Sequence, residues 1–474
     1  MPETLTPDLC VIGAGSGGLS VAAAAAAMGV PVVLIEKSKM GGDCLNTGCV
    51  PSKALIAAGK HAEAFRTGAR LGIAPQVPSI AFDQVHDHVH RVIAAIAPND
   101  SRERFTGLGV RVIEGEGRFR DAETVVVGDQ FEIKARRFVV AAGSKPTLPP
   151  IQGLDQTPYL TNETVFDLRE RPKHLIVIGA GPAGLELAQA FHRLGSDVTV
   201  LEAKTPLAHE DPECAAVVLA ALGHEGVAIR SGVTIARVGR TDAGVAVTLG
   251  GDPEETIEGS DLLVATGRRP DTEGLGLDAA GVWHEPKGIV VDKRLRTTNR
   301  KVYAIGDVIG GPQFTHAANY HAGLVIRHAL FRLPIKANAD TIPRVTFTDP
   351  ELAHVGLSEA QARQHHRTIR ILRWPYHDND RALAEGKTRG HIKVVSTRRG
   401  RVLGATIVGA AAGELITVWT LAVSRGMNIR VLAGITVPYP TLSEIGKRAA
   451  LSFFTPRLSS PWLRRLLGWL RRLG

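Results

Sequence analysis

A glycine-rich turn between an apolar strand and an alanine-rich helix sets the architecture at the start of this chain. In Gly13-x-Gly15-x-x-Gly18, the first glycine permits a tight turn and the second lets the backbone approach a pyrophosphate. The third glycine lets the helix pack directly on the strand. The next strand ends in Glu36, which is placed to accept hydrogen bonds from a ribose. The pattern predicts a βαβ unit that binds a dinucleotide.

The same arrangement recurs in the second third of the chain, as Gly179-x-Gly181-x-x-Gly184 followed by a strand that ends in Glu202. Two such units imply two dinucleotides, or one dinucleotide and a duplicated scaffold. Glu202 would bond a free 2′-hydroxyl and repel a 2′-phosphate, which favours NADH over NADPH. Lys204 could weaken that repulsion, so NADPH remains an alternative.

Two of the four cysteines, Cys44 and Cys49, lie five residues apart, just ahead of a helix-forming segment. No further ligands stand at zinc spacing, so no metal site is predicted. Because thiols near a helix N-terminus and a lysine (Lys53) have depressed pKa values, the pair is predicted to be redox-active. Cys10 is expected to be an inert core thiol, and Cys214 is expected on an exposed helix.

The run GGDCLNTGCVPSK after a GxGxxG unit closely resembles the class I pyridine nucleotide–disulfide oxidoreductases, which include dihydrolipoamide dehydrogenase, glutathione reductase and mercuric reductase. Four further segments resemble the family in the same order: AAGSKPTLPPIQG, VATGRRPDTEGLGL, VYAIGDVIGGPQFTHAA and IPRVTFTDPELAHVGLSE. The resemblance implies an α/β fold with two Rossmann-like dinucleotide-binding domains, for FAD and NAD(P), and a C-terminal α+β dimerisation domain. The implied parts are FAD-binding residues 1–155 and 276–338, NAD(P)-binding residues 156–275 and dimerisation residues 339–455. Residues 456–474 lie beyond the resemblance, and their own pattern predicts a basic amphipathic C-terminal helix.

The resemblance also implies the site. Cys49 would face the flavin as the charge-transfer thiolate, and Cys44 would be the interchange thiol open to substrate. Lys53 and Glu186 would pair beside the flavin on the nicotinamide side. The residues implied for FAD are Gly13, Gly15, Ser16, Gly18, Glu36, Lys53, Gly117, Ala142, Gly143, Asp307, Gln313, Phe314, Thr315 and His316, and those implied for NAD(P) are Gly179, Gly181, Gly184, Glu202 and Gly267.

The segment VPYPTLSEIG departs from the disulfide reductases of the family, in which a partner subunit's His–Glu pair in HPTxxE moves protons. Here Tyr439 takes the place of the histidine, while Glu444 is kept. A tyrosine with a pKa of ~10 is poorly matched to proton transfer at pH 7, which argues against efficient lipoamide or glutathione turnover. Mercuric reductase resembles this chain in having a tyrosine there, but it also carries a C-terminal vicinal cysteine pair, and no cysteine follows Cys214.

These features predict a homodimeric, FAD-dependent NAD(P)H oxidoreductase of mercuric reductase-like type. Electrons would pass through FAD to the Cys44–Cys49 disulfide and on to a soft metal ion or a small disulfide. Dihydrolipoamide dehydrogenase is the alternative enzyme, in which His316, His321 or His377 would replace the base, although each is expected to be structural or flavin-facing. An alternative of another class is a membrane-bound flavoprotein that binds NAD(H) as a sensor or scaffold. Tyr439 could also simply pack at the dimer interface.

The last residues, SSPWLRRLLGWLRRLG, place Trp and Leu at helical spacing opposite arginines. A helix here, with Ser459 or Ser460 at its start, is too short to span a bilayer but suits an anionic membrane surface. Alternatively, its apolar face packs on the protein's own dimer. The net charge of +9 comes partly from this tail, and no nucleic-acid motif accompanies it, so nucleic-acid binding is not expected. The N-terminus lacks the features of a secretory signal, so a cytoplasmic protein is expected, with peripheral attachment to the inner face of the cell membrane as an option.

Overall fold

The computed structural model describes residues 1–458 and 461–472, without the side chains of residues 457 and 458. Its strands and helices form two compact units. The domain boundaries proposed from the sequence stay a prediction. The first unit comprises residues 1–64, 77–203 and 232–339, and the second comprises residues 65–76, 204–231 and the described chain from 340 onward.

The strands are short, with two to eight residues each. They are β1 (Glu3–Leu5), β2 (Leu9–Ile12), β3 (Val32–Glu36), β4 (Arg111–Glu114), β5 (Gly117–Asp121), β6 (Thr124–Val127), β7 (Phe131–Ile133), β8 (Arg137–Val140), β9 (Ser144–Pro146), β10 (His174–Ile178), β11 (Asp197–Glu202), β12 (Ala228–Ser231), β13 (Ile235–Thr241), β14 (Gly244–Leu249), β15 (Glu255–Gly259), β16 (Asp261–Val264), β17 (Arg268–Pro270), β18 (His284–Glu285), β19 (Gly288–Ile289), β20 (Val302–Ala304), β21 (Arg344–Thr346), β22 (Glu351–Gly356), β23 (Ile369–Pro375), β24 (His391–Thr397) and β25 (Val402–Gly409).

The α-helices connect these strands or cover their sheets. They are α1 (Ser16–Ala27), α2 (Gly42–Asn46), α3 (Cys49–Arg66), α4 (Phe82–Ile96), α5 (Arg102–Gly107), α6 (Pro182–Arg193), α7 (Pro212–Glu225), α8 (Thr315–Ala329), α9 (Glu359–His365), α10 (Asp380–Glu385), α11 (Ala412–Ser424), α12 (Ile429–Gly434), α13 (Glu444–Ser452), α14 (Thr455–Leu458) and α15 (Pro461–Leu470).

The first predicted βαβ unit is confirmed, and it forms the centre of a five-stranded parallel sheet with the order β20-β8-β2-β3-β4. Strands β2 and β3 are buried along their whole length, as expected for parallel strands covered on both faces. Helix α1 packs against β2 because Gly18 has no side chain. A Cβ there would lie 1.9 Å from the carbonyl oxygen of Gly13, closer than any real contact allows.

The second predicted βαβ unit is confirmed in the same unit of the structure. Strand β10 lies between β11 and β16 and pairs with both in parallel. Helix α6 follows the glycine turn, and a Cβ at Gly184 would lie 2.1 Å from the carbonyl oxygen of Gly179. The close approach of helix to strand is therefore repeated, with the same physical cause in both glycine motifs.

Smaller sheets complete the first unit. The antiparallel sheet β13-β14-β15 shares an apolar core with β10, and a second small sheet has the order β1-β7-β6-β5. The antiparallel pair β9–β17 brings the segment after β8 alongside the segment after β16. The two crossover segments that the sequence resemblance identified thus lie side by side.

The second unit is built on the antiparallel sheet β21-β22-β25-β24-β23, which α11 and α13 cover. Its core includes Ile416 and Trp419 from α11 and Ala449 from α13, and all three side chains are nearly fully buried. This is the α+β arrangement predicted for the dimerisation segment.

The expectation for Cys214 was wrong in one respect. The residue lies on a helix, α7, but on its buried face, and its Sγ is 3.6 Å from Nε2 of His391. Burial raises the pKa of the Cys214 thiol, so its thiolate form is disfavoured. Cys10 is buried in β2 as expected, and burial raises its pKa as well.

The tail contains the predicted helix as α15, preceded by the short α14. The apolar side chains Trp462, Leu467 and Trp469 are 69%, 49% and 58% exposed. The proposed helix start at Ser459 or Ser460 and the last two residues lie outside the described part of the chain. Within that part, no helix combines the length and the apolar character that crossing a membrane requires.

Candidate active site

The residues predicted to bind FAD gather at one edge of the parallel sheet. Gly13 follows β2, Glu36 ends β3, Ala142 follows β8 and Asp307 follows β20. Because the carboxyl ends of neighbouring parallel strands meet at the same edge, these residues lie close together. Ser16 begins α1 at this edge, and Gly117 begins β5 after the end of β4.

Each glycine turn holds an acidic side chain in place. One carboxylate oxygen of Glu36 accepts a hydrogen bond from the backbone N–H of Ala14 at 2.6 Å, and the other accepts from Ser38 at 2.8 Å. Glu202 repeats the arrangement in the second turn, where it accepts from the N–H of Ala180 at 2.8 Å. Each carboxylate is thereby fixed beside the turn, with remaining lone pairs for ribose hydroxyls.

The segment that carries the cysteines is anchored to the first glycine turn. Gly41 donates its N–H to the carbonyl of Ala14 at 3.0 Å. A Cβ on Gly42 would lie 2.7 Å from Cα of Gly15, so the two backbones touch. In contrast, no heavy atom lies within 4 Å of a Cβ added at Gly143, Gly181 or Gly267, which leaves the backbone there open to a ligand. These features fit FAD at the first turn and a nicotinamide nucleotide at the second.

Asp307 is positioned by a hydrogen bond from the hydroxyl of Ser144, with 2.7 Å between Oγ and Oδ2. Burial raises the pKa of Asp307, although the Ser144 hydrogen bond and the charge of Arg268 oppose the shift. A carboxyl group of this kind suits hydrogen bonding to the hydroxyls of a ribityl chain, the role that the family resemblance implies.

Cys44 lies in α2 and Cys49 is the first residue of α3, and the two thiols are hydrogen-bonded to each other. The hydrogen bond from Cys44 lowers the pKa of Cys49 to about 6, and burial opposes this. The hydroxyl of Thr315, with Oγ1 3.5 Å from the Cys49 sulfur, and the charge of Lys53 lower it further. The same hydrogen bond and burial raise the pKa of Cys44. In the dithiol form Cys49 is therefore the thiolate near neutral pH, and Cys44 is the proton donor.

Lys53 and Glu186 form the predicted ion pair, with 2.9 Å between Nζ and Oε2. Lys53 is on α3, about one turn beyond Cys49, and the buried Glu186 is on α6. The two helices approach closely at Gly59, where a Cβ would lie 3.2 Å from the carbonyl oxygen of Ala190. The ion pair therefore joins the redox helix to the second βαβ unit.

The segment Gln313 to His316 leads into α8, whose first residue is Thr315. The rings of Phe314 and His316 stack with centroids 5.2 Å apart. Helix α8 thus begins beside Cys49, where the positive end of its dipole favours a thiolate.

The other two histidines considered as replacement bases, His321 and His377, differ in their surroundings. His321 is buried, and its Nδ1 accepts a hydrogen bond from the N–H of Gly306 at 3.3 Å. Burial lowers its pKa, which fits the structural role expected for it. His377 is exposed in the second unit, with its Nε2 3.9 Å from the carboxylate of Asp378.

Tyr439 is 70% exposed in the second unit, and its hydroxyl donates to the carboxylate of Asp380 at 2.8 Å. This hydrogen bond raises the pKa of Tyr439, which makes the phenol a still poorer base at pH 7. Asn379 donates its side-chain N–H to the carbonyl of Thr441 at 3.0 Å and so ties the two segments together. Glu444 follows as the first residue of α13.

Sequence reasoning missed Arg268, which connects several parts of the site. Its guanidinium donates to the hydroxyl and the carbonyl of Ser144 at 2.8 Å each, and to Oδ1 of Asn162 at 3.1 Å. It also pairs with the carboxylate of Asp43 at 2.9 Å. Asp43 directly precedes Cys44, and Asn162 donates to the carbonyl of Thr47 at 3.2 Å. Arg268 thus fixes the redox segment against the strand that begins after Gly267.

A signal for this network was present in the sequence. Arg268 directly follows a predicted NAD(P) glycine, and Asp43 directly precedes a predicted redox cysteine, so two opposite charges flank the two motifs. No metal centre accompanies the network, since no cluster of three or more His, Cys, Asp or Glu side chains among the described residues is arranged to hold an ion.

We expect the pH dependence of alkylation in the reduced protein to identify Cys49 as the thiolate. Its alkylation by iodoacetamide should rise through a midpoint near pH 6, because the thiolate is the reactive form. Cys44→Ala removes the hydrogen bond that contributes most to the low pKa of Cys49, so it should move the midpoint upward. The matched variant Cys44→Ser keeps a hydroxyl donor and should move it less. Peptide mass mapping assigns the label; a wild-type midpoint near 9, or one unchanged in Cys44→Ala, would contradict the assignment.

We also expect Arg268→Gln to lower the midpoint potential of the Cys44–Cys49 couple at pH 7. The change leaves the charge of Asp43 uncompensated beside the pair, and this disfavours the thiolate and hence the reduced state. A loss the size of one charge-assisted hydrogen bond corresponds to about 30 mV.

The matched control for this measurement is Arg269→Gln. Arg269 is the next residue of β17 but pairs with the exposed Glu273 at 2.7 Å. Its substitution should leave the potential unchanged in the same thiol–disulfide redox titration. Equal shifts in both variants, or no shift in either, would show that Arg268 does not position the redox segment.

Comparison with known proteins identifies the family of the chain. Residues 7–322 match the family model described as pyridine nucleotide-disulphide oxidoreductase, and residues 342–450 match its dimerisation domain. A mercuric reductase of Streptomyces lividans is 36% identical over 94% of this chain and 96% of its own length. A dihydrolipoyl dehydrogenase of Staphylococcus aureus is 35% identical with the same coverage.

Solved structures give the same result. LpdA from Mycobacterium tuberculosis matches with a TM-score of 0.86 and 29% identity, covering 96% of this chain and all of that one. The Cu(II) complex of the HOCl-induced flavoprotein disulfide reductase RclA from Escherichia coli matches with a TM-score of 0.83 and 28% identity, covering 93% of this chain and 98% of that one. The predicted mixed α/β fold is confirmed. The chain belongs to the class I pyridine nucleotide–disulfide oxidoreductase family of flavoproteins.

Proposed function

We propose that this chain is a homodimeric NAD(P)H-dependent flavoprotein that delivers electrons from its Cys44–Cys49 pair to a soft metal ion bound by thiolates. The observation that carries the proposal is the combination of a low-pKa thiolate at Cys49 with a phenol, Tyr439, where disulfide reductases have a base. Mercuric reductases among the relatives, and a Cu(II) complex of a structural relative, support a metal acceptor.

The residues of the site have separate tasks. FAD, when bound, would supply the hydride chemistry that connects NAD(P)H to the disulfide. Glu36 and Asp307 would hold its ribose and ribityl hydroxyls, and the Lys53–Glu186 pair, 2.9 Å apart, would keep a compensated charge beside the nicotinamide face. The charge of Lys53 also helps to hold Cys49 as a thiolate.

The electron transfer to metal balances with the two cysteines alone. The Cys44 thiol releases its proton to solvent water, both sulfurs bind the metal ion, and the pair is oxidised to the disulfide as two electrons pass to the metal. These reduce one Hg²⁺ to Hg⁰, or two Cu²⁺ to two Cu⁺. Soft ions prefer thiolate ligands, so the low pKa of Cys49 favours binding at neutral pH.

The nucleotide proposed is NADH. Glu202 is fixed beside the second glycine turn by the N–H of Ala180 at 2.8 Å, where its charge would repel a 2′-phosphate. NADPH is the alternative. The ratio of kcat/KM for the two nucleotides tests this choice.

The second candidate function is dihydrolipoamide dehydrogenase, which the 35% identity to such an enzyme favours. A dithiol substrate must lose protons during exchange, and general bases typically contribute ~10²–10⁴ to such rates. The hydrogen bond from Tyr439 to Asp380 raises the phenol pKa and therefore opposes this role. NADH oxidation with lipoamide and with Hg²⁺ plus excess thiol, measured in parallel, separates the two functions.

We expect Tyr439→His to increase lipoamide turnover by about 10². The histidine would restore a base matched to pH 7 beside the retained Glu444. Tyr439→Phe is the matched control, because it removes the hydroxyl without supplying a base, and its lipoamide turnover should stay low. Fast lipoamide turnover in the wild type, or no gain in Tyr439→His, would contradict the proposed role of Tyr439.

We further propose that α15 attaches the protein to anionic membranes. Trp462 and Trp469 are exposed, and the exposed arginines Arg464 and Arg465 of the same helix can bind lipid phosphates. Replacing both tryptophans by serine should reduce cosedimentation with phosphatidylglycerol vesicles several-fold, since it removes the inserted apolar area. The control is Trp283→Ser, which alters an exposed tryptophan of the first unit. Equal cosedimentation of all variants would contradict the attachment.

A further inference from the structure

A cavity of about 550 Å³ in the second unit is lined by Arg398, Arg399, Asn428 and Arg430. Its segments contain none of the residues assigned above to FAD, the nucleotide or the redox pair. The cavity lies where the turn between β24 and β25 meets the start of α12.

The side chain of Asn428 connects the two segments that line this cavity, the β24–β25 turn and the start of α12. Its side-chain N–H donates to the carbonyl of Arg399 at 2.9 Å, and its Oδ1 accepts from the N–H of Arg430 at 3.1 Å. The N–H of Ile429 also donates to the carbonyl of Gly400 at 2.7 Å. The backbones that carry the three arginines are therefore held in place around the cavity.

The cavity carries uncompensated positive charge. Within the described chain, Arg398, Arg399 and Arg430 make no ion pair with a carboxylate, and all three are exposed. The surrounding sequence is also poor in acids. Residues 386–443 contain eight Lys or Arg but a single acidic residue, Glu414. Like charges that line one cavity repel one another, and an anion bound in the cavity would offset the repulsion.

We infer that the arginine cavity is a binding site for a phosphate-bearing anion. Guanidinium groups present paired N–H donors that match phosphate oxygens bidentately, which an isolated lysine does not do. Three of them around a common space suit a ligand with more than one negative charge. Inorganic pyrophosphate and the headgroup of an anionic phospholipid share this chemistry, and the cavity has room for either.

The test uses the FAD-loaded full-length protein, saturated with NAD⁺ so that the nucleotide turn is occupied. Isothermal titration calorimetry with inorganic pyrophosphate should show one site per chain. Arg430→Ala, and the double variant Arg398→Ala/Arg399→Ala, should each weaken binding about tenfold or more, the size of one lost charge-assisted hydrogen bond. Arg430→Lys keeps the positive charge without the paired N–H donors of a guanidinium group, and it should bind pyrophosphate with intermediate affinity.

The matched control is Arg367→Ala, which removes an equally exposed arginine of the same unit that makes no ion pair among the described residues. It should bind pyrophosphate like the wild type, and all variants should retain wild-type NADH oxidation. A parallel arm measures cosedimentation with phosphatidylglycerol vesicles. If the cavity variants lose pyrophosphate binding in the calorimetric arm, the ligand is a soluble phosphate. If they lose only the binding to vesicles, the ligand is a lipid headgroup. Equal binding by Arg430→Ala and Arg367→Ala in both arms, or no binding in either, would overturn the inference.

Discussion

The close approach of each crossover helix to its strand is the constraint on which the rest of this structure depends. It is possible only because Gly18 and Gly184 lack side chains, since a Cβ at either would overlap the carbonyl of Gly13 or Gly179. The approach brings the helix N-terminus and the glycine backbone to the edge of the sheet, where a pyrophosphate can bind. It also fixes Glu36 and Glu202 beside their turns. The redox segment is then held against the first turn through Gly41 and Gly42 and cannot be placed independently of it.

The electrostatics of the site follow from that placement. Cys49 begins one helix and lies beside the beginning of another, and the thiol of Cys44, the hydroxyl of Thr315 and the ammonium of Lys53 all stabilise its negative charge. The glycine contact between α3 and α6 allows Lys53 to pair with Glu186, so the charge that stabilises the thiolate is itself compensated. A thiolate held near neutral pH is a suitable ligand for a soft metal ion.

The sequence predicted the two βαβ units well, because glycine spacing and buried apolar strands are local signals. Strand β2, Leu9–Ile12, directly precedes Gly13, as the predicted strand–turn–helix order requires. Contacts between distant segments were harder to foresee. The Arg268–Asp43 pair joins residues far apart in the chain, and neither local motif indicates which residue is the ion-pair partner of the other. Cys214 lies on a helix as expected, but that helix, α7, packs against β22 and β25 and buries the thiol, and this long-range contact is not visible in the local sequence. Tyr439 was recognised as a departure, whereas its hydrogen bond to Asp380 required the structure.

The central claim is that electrons leave this protein through the Cys44–Cys49 pair, and anaerobic titration with NADH tests it most directly. The oxidised protein is titrated with NADH while free thiols are counted by a chromogenic disulfide after unfolding. We expect two new thiols per chain for the NADH equivalents that reduce the disulfide, and none in Cys44→Ser, which has no disulfide to open. NADH consumption with flavin reduction but without new thiols in the wild type would contradict the claim.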